Sequence, residues 1–159
     1  MSKLLILGSI AFDQIETPFG KSNAIMGGSA NYIALAAAQF EVPSAVVSIV
    51  GDDYPQDYLN LLTQRHIDVS GIEIVHRGKT LFWSGKYRND MNQRDTLDTQ
   101  LNVLANFKPV VPEAFRDAEV ILLGNLHPTL QMDVLDQMLS RPKLVVMDTM
   151  NYWMNHTWD

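Results

Sequence analysis

The chain has 159 residues, enough for one ordinary domain with a real core, and 47% hydrophobic against 19% charged residues excludes a disordered polypeptide. Cysteine is absent, which excludes disulfides, zinc-thiolate sites and thiol catalysis and fits a cytoplasmic protein. A net charge of -6 with pI near 5.0, its Lys and Arg scattered, argues against nucleic acid as a partner, and no run approaches the ~20 apolar residues of a membrane span.

Leu4 to Leu7 is too short for a secretory core and reads as a first buried strand, leading to Gly8, Ser9 and then Asp13. From Phe12 to Ala24 the pattern is non-helical, with Ile15, Thr17 and Phe19 alternating. Gly27-Gly28-Ser29-Ala30-Asn31 then runs into the alanine-rich segment ending at Phe40, which predicts a helix from about Ser29. Two glycines permit close approach of the backbone, and the unpaired N–H groups and positive dipole end of the helix would anchor hydroxyls or an anion. The alternative is a tight turn before a closely packed helix.

Ala45 to Val50 reads as a second buried strand, followed by Gly51-Asp52-Asp53. The two aspartates are candidate caps for a helix over 56–65, where Tyr58, Leu61, Leu62 and Arg65 repeat at helical spacing. Ile72 to His76 and Thr80 to Tyr87, around Arg77-Gly78-Lys79, predict a hairpin, and Leu97, Thr99, Leu101 and Val103 continue a period of two. Val120 to Leu123 is a third buried strand, ending at Gly124-Asn125-Leu126-His127. A helix opens at Pro128 and carries Leu130, Val134, Leu135, Met138 and Leu139 before Pro142, and Leu144 to Met147 is a fourth buried strand before Asp148-Thr149-Met150-Asn151.

This alternation predicts an α/β fold with a mainly parallel sheet, plus a small antiparallel β element from residues 14–25 and 72–103 that covers a ligand or mediates dimerisation. Ligands of parallel sheets bind beyond the carboxyl ends of the strands, and here those ends are polar. Asp13 is followed by no helix to cap, and a carboxylate there can accept two hydroxyl hydrogen bonds from a polyol. His66, His76, His127 and His156 lack metal-ligand spacing; a nucleophile elbow, a Walker A loop and a dinucleotide fingerprint are all missing. Phe82, Trp83 and Tyr87 read as half-buried packing on the β element or as a surface for a sugar ring or a base.

Gly8-Ser9-Ile10-Ala11-Phe12-Asp13, Gly27-Gly28-Ser29-Ala30-Asn31 and the helix before Val50-Gly51-Asp52-Asp53 together resemble the N-terminal half of the ribokinase-like (PfkB) carbohydrate kinases, over nearly all of the chain. The resemblance implies a three-layer α/β/α fold with a β lid, as a single partial kinase domain: core 3–13, 26–70 and 108–159, lid about 14–25 and 71–104. It implies transfer of the γ-phosphate of ATP, with Mg2+, to a hydroxyl of a sugar or nucleoside. Asp13, Gly27, Gly28 and Asn31 would hold that substrate, with Asn125, Asp148 and Asn151 as further candidates.

The chain departs from the family pattern in places. Asn31 lies three residues after Gly28 where many members have four, Ala11 replaces a polar residue common in ribokinases proper, and Glu41 stands where a glycine often ends the helix. The family's Gly-Ala-Gly-Asp segment, which supplies the anion hole and the catalytic base, is not present, and Trp153, Met154 and Trp158 have no helix after them. The expectation is therefore the substrate-binding half of a longer kinase, with the C-terminal half of the fold missing, inactive alone and dimerising through the lid. The alternative is a non-catalytic sugar-binding, nucleoside-binding or dimerisation module of the same fold.

Overall fold

The computed structural model describes residues 3–157. In chain order its elements are β1 (Leu4–Leu7), β2 (Ala11–Thr17), β3 (Gly20–Lys21), β4 (Ile25–Gly27), α1 (Ser29–Ala38), β5 (Ser44–Gly51), α2 (Gln56–Gln64), β6 (Ile67–Val75), β7 (Leu81–Tyr87), β8 (Arg94–Gln100), β9 (Val120–Leu123), α3 (Pro128–Asp136), β10 (Leu144–Met147) and α4 (Asn151–His156). Short 3-10 turns at Asn102–Asn106 and Glu113–Phe115 join β8 to β9. None of the helices is long and apolar enough to cross a membrane.

The main sheet is parallel throughout, in the order β10-β9-β1-β5-β6. The central strands β1 and β5 are apolar on both faces because each face has its own core. Leu5 and Leu7 of β1 and Ala45, Val47 and Ile49 of β5 pack with Val134 of α3, while Ile6, Val46 and Val50 pack with Ala30 and Ala34 of α1 and Leu59 and Leu62 of α2. The result is three layers, α1 and α2 on one face and α3 on the other. Alanines at 30 and 34, both with no exposed surface, let α1 lie close on the sheet. Fully burying a side chain such as Leu62 is worth about 1.5–3 kcal/mol.

A second sheet, ordered β3-β2-β7-β8 with β4 paired to β2, projects beside the first. The β2–β3, β2–β4 and β7–β8 pairs are antiparallel, but β2 and β7 run parallel, so the sheet is mixed.

Several expectations need correction. No hairpin joins Ile72–His76 to Thr80–Tyr87, because β6 pairs parallel with β5 and belongs to the main sheet. The physical cause is the β5–α2–β6 unit: a helix between two strands returns the second beside the first, in parallel. The period of two after β8 also stops early. Asn102, at φ 51, turns the chain, its side-chain amide donates to Thr80 O at 2.9 Å, and Val103 falls in a 3-10 turn.

Nor do Asp52 and Asp53 cap α2, whose N-cap is Pro55 with no side-chain bond. They secure the turn that crosses the end of β5. Asp52 accepts from Arg77 N at 2.7 Å and Asp53 Oδ1 from Thr80 N at 2.8 Å and Thr80 Oγ1 at 2.6 Å. α3 begins at Pro128 as expected but ends at Asp136, and Leu139 is left exposed. Finally, β10 is not buried on both faces: it lies at the sheet edge, with Leu144 and Met147 53% and 62% exposed. Trp153 and Met154 belong to α4 itself, and Trp158 lies outside the described residues.

Candidate active site

The candidate site begins where β1 ends. Gly8, Ser9, the first turn of α1 and Gly124 after β9 meet there so tightly that a Cβ on either Gly8 or Gly124 would lie 2.7 Å from Ser29 Oγ. Ser9 and Ser29 lock this junction reciprocally, Ser29 N donating to Ser9 Oγ and Ser9 N to Ser29 Oγ, both at 3.3 Å. Ala30 N also donates to Ser9 O at 3.0 Å. The N–H groups of Ser29 and Ala30 are thus committed within the protein, which takes two donors away from the expected anchor at the start of α1.

Asp13 stands on β2 beside β4, whose short antiparallel pairing sets Ala11 against Gly27 and Asp13 against Ile25. The Asp13 side chain reaches back along this ladder onto Gly27: a Cβ on Gly27 would overlap Asp13 Cγ and lie 2.5 Å from Oδ1. Only glycine leaves room for the carboxylate. Gly28, at φ 90, carries the chain over the Ser9 carbonyl into α1. The structure thereby brings together three of the residues expected at one site.

The Asp13 carboxylate is half-buried and has no hydrogen-bond or ion-pair partner among the described residues. Burial, the larger cause, pushes its pKa above the usual 3.8, and the Arg94 guanidinium acts in the other direction. Tyr32, on the first turns of α1, feels the Asp13 charge and donates its hydroxyl to Met26 O at 2.9 Å.

Asn31 is brought to the same place but faces inward, with no exposed surface. Its Nδ2 donates to Gly27 O at 2.6 Å and to the Tyr54 hydroxyl at 3.1 Å. The Gly27 carbonyl can only accept, which fixes the amide orientation and leaves Asn31 Oδ1 without a partner. In this structure Asn31 holds the Gly27 turn in shape, and only Oδ1 has bonding capacity to offer. Burial pushes the Tyr54 pKa up to about 12, so its hydroxyl stays protonated; its ring packs 5.5 Å from that of Phe12.

Asn125, Asp148 and Asn151 lie at the ends of β9 and β10, and among the described residues no hydrogen bond or ion pair joins them to Asp13. Asn125 Oδ1 accepts from Trp153 Nε1 at 2.9 Å, and Trp153 packs edge-on to His127. Asp148 and Asn151 are exposed. Buried Gln131 ties the two strand ends together, donating to Gly124 O at 2.9 Å and Asp148 O at 3.0 Å. A hollow of about 740 Å³ between Glu16, Lys86, Tyr87 and Arg88 opens elsewhere in the second sheet; Asp13 does not line it, and its charged walls pair among themselves.

Sequence reasoning missed Tyr54 and Arg94. Tyr54 lies in a loop with no periodicity, and Arg94 arrives through space from β8, so neither leaves a local signal. The described residues contain no group of three or more His, Asp or Glu able to hold a metal ion.

No family profile matches the chain. It is 26% identical over 138 residues to the cytidine kinase of Thermococcus kodakarensis, an alignment covering 87% of this chain and 49% of that protein. Among solved structures, the Methanocaldococcus jannaschii nucleoside kinase, described as an archaeal member of the ribokinase family, superposes with a TM-score of 0.72 at 18% identity, over 93% of this chain and 52% of that one. The Burkholderia thailandensis nucleoside kinase in complex with inosine gives 0.73 at 18% identity, over 91% and 52%. The chain has the ribokinase-like α/β fold, and it spans about half the length of the relatives it matches.

Proposed function

We propose that this chain is the acceptor-binding part of an ATP-dependent kinase of the ribokinase family, and that its acceptor is a nucleoside or a sugar. The observation that carries the reading is the Asp13 carboxylate. It is half-buried, has no hydrogen-bond or ion-pair partner among the described residues, and rests on a glycine near the carboxyl end of β1. Leaving such a group unpaired costs stability, and a pair of ligand hydroxyls would restore its hydrogen bonds. The kinase relatives favour a nucleoside acceptor.

In this reading Asp13 and the Gly27–Gly28 backbone fix the acceptor hydroxyls, Asn31 and Tyr54 hold the glycine turn, and the second sheet shields the site from water. Positioning and exclusion of water supply much of the rate in phosphoryl transfer. ATP, with Mg2+, is the phosphoryl donor by analogy with the relatives, and no residue of this chain is assigned to holding either. Asn125, Asp148 and Asn151 are further candidates for contact with the acceptor, from the ends of β9 and β10. The chain alone would bind acceptor without transferring phosphate. The same reading makes the protein a cytoplasmic enzyme acting on a small molecule rather than on nucleic acid or a membrane. The edge of β8, exposed along its whole length, would be free to pair with a second copy.

The test is calorimetric titration of the chain with cytidine, inosine and ribose, with Asp13→Asn as control. Binding of at least one that is lost in the variant supports the reading. Binding of none, or binding that survives the substitution, refutes it.

A further inference from the structure

The parallel β2–β7 register sets Asp13 directly against Trp83, so the two side chains leave the second sheet on the same face, about 4.8 Å apart at their strands. The indole does not stand upright. It lies along β7 over Gly85, where a Cβ would overlap Cη2 and Cζ2 and come within 3.0 Å of Cζ3. An irregularity in the β7–β8 ladder between Ser84 and Gly85 places Thr96 opposite Gly85, and Thr96 Oγ1 accepts from Trp83 Nε1 at 3.4 Å. Two features that would otherwise weaken a strand, a glycine and a bulge, both serve to lay this ring down and fix its rotation. The exposed Arg94 guanidinium lies 5.2 Å from the ring centroid.

We propose that Trp83 is the stacking shelf for the planar heteroaromatic base of a nucleoside whose hydroxyls are held by Asp13, and that Arg94 is the removable cover of that shelf. The inference rests on Asp13 being the acceptor site. A bare sugar offers the carboxylate its hydroxyls but the indole only the C–H face of a puckered ring, whereas a nucleoside offers hydroxyls to Asp13 and a flat π face to Trp83 on the neighbouring strand. Arg94 is the part suited to move. Its side chain is long and exposed, and an exposed cation–π contact is weak enough for an incoming base to displace.

The test is calorimetric titration with cytidine, inosine and ribose for the wild type, Trp83→Ala, Trp83→Phe, Arg94→Ala and Asp13→Asn. Trp83→Ala should weaken cytidine and inosine by about 10- to 100-fold and leave ribose unchanged, Trp83→Phe should restore most of the loss, and Arg94→Ala should tighten the nucleosides by about two- to fivefold. A Trp83→Ala variant that loses ribose and nucleosides equally, or loses neither, overturns the shelf. So does a wild type that binds ribose but no nucleoside. Weakened nucleoside binding in Arg94→Ala overturns its role as a cover. Selective loss in Trp83→Ala alongside unaltered binding in Asp13→Asn would keep the shelf and remove the acceptor reading, so the two failures are distinguishable.

Discussion

Gly27 and Gly28 are neighbours in sequence, yet alanine should damage them in opposite ways. At Gly27 the three atoms nearest the added Cβ all belong to the Asp13 carboxyl, Cγ overlapping it and Oδ1 lying 2.5 Å away, and the Gly27 backbone is outside the positive-φ region. The end of a side chain can swing away, so Gly27→Ala should lose about 1 kcal/mol of stability, the low end of overpacking. The displaced carboxylate, however, no longer faces the ligand. Each hydrogen bond to a charged group is worth about 1.5–3 kcal/mol, so losing one should weaken acceptor binding by about 10- to 100-fold. At Gly28 the Cβ meets main chain instead, overlapping Ser9 O and lying 2.7 Å from Ser9 C and 2.8 Å from Ile10 Cα, at φ 90. Strain there costs roughly 1–3 kcal/mol and the clash a similar amount, so Gly28→Ala should lose about 2–5 kcal/mol. At about 2–4 °C per kcal/mol for a chain of this size, Tm should fall by roughly 5–20 °C. Scanning calorimetry and titration with cytidine measure both effects. A Gly27→Ala protein with wild-type affinity would refute the placement of the ligand on Asp13, and a Gly28→Ala protein with wild-type Tm would refute the argument from backbone contact.

Asn31→Ala leaves the Gly27 carbonyl without its buried donor, at a cost of about 1–3 kcal/mol, and Tm should drop by about 2–12 °C; an unchanged Tm would mean that Asn31 does not hold the turn. Asp13→Asn should be more stable than the wild type at pH 7 while binding acceptor more weakly. Because burial raises the Asp13 pKa above 3.8, the folded state binds the proton more tightly than the unfolded state does, so the charged form costs stability above the folded pKa and that cost vanishes as pH falls below 3.8. Melts across this range should therefore show the gap between variant and wild type closing on the acid side, and a gap that does not change with pH contradicts the assignment. Gln131→Leu removes both donations that join β9 to β10, so it should cost about 1–3 kcal/mol and speed hydrogen exchange at Asp148 N, which pairs with Leu123 O; wild-type exchange there would show that the strand ends are held otherwise.

What the sequence revealed about this fold divides by the range of the interactions involved. Four apolar runs, the helix start at Ser29 and the helix opening at Pro128 are local facts, decided by residues a turn or a strand apart, and the structure contains each of them. The identity of β6 was not local. Ile72, Ile74 and the Arg77-Gly78-Lys79 turn suit a hairpin with β7 as well as they suit a parallel strand, and what separates the two is the β5–α2–β6 crossover, whose signal was a helix set between two apolar runs. The exposure of β10 could not be read either, since Leu144-Val145-Val146-Met147 has the composition of a buried strand and only its place at the sheet edge exposes it. The candidate site divides in the same way. Asp13 meets Gly27 through the β2–β4 pairing, formed between segments close in sequence, so the two motifs can be joined from the sequence alone. Trp83 and Arg94 reach the same face through a parallel pairing and a bulge involving strands far along the chain, where one change of register would turn the indole to the other face. The meeting of Asp13 with Gly27 was legible for that reason, whereas Phe82, Trp83 and Tyr87 could be named together as a stacking surface but not sorted, and only the register shows that Trp83 is the one set against Asp13.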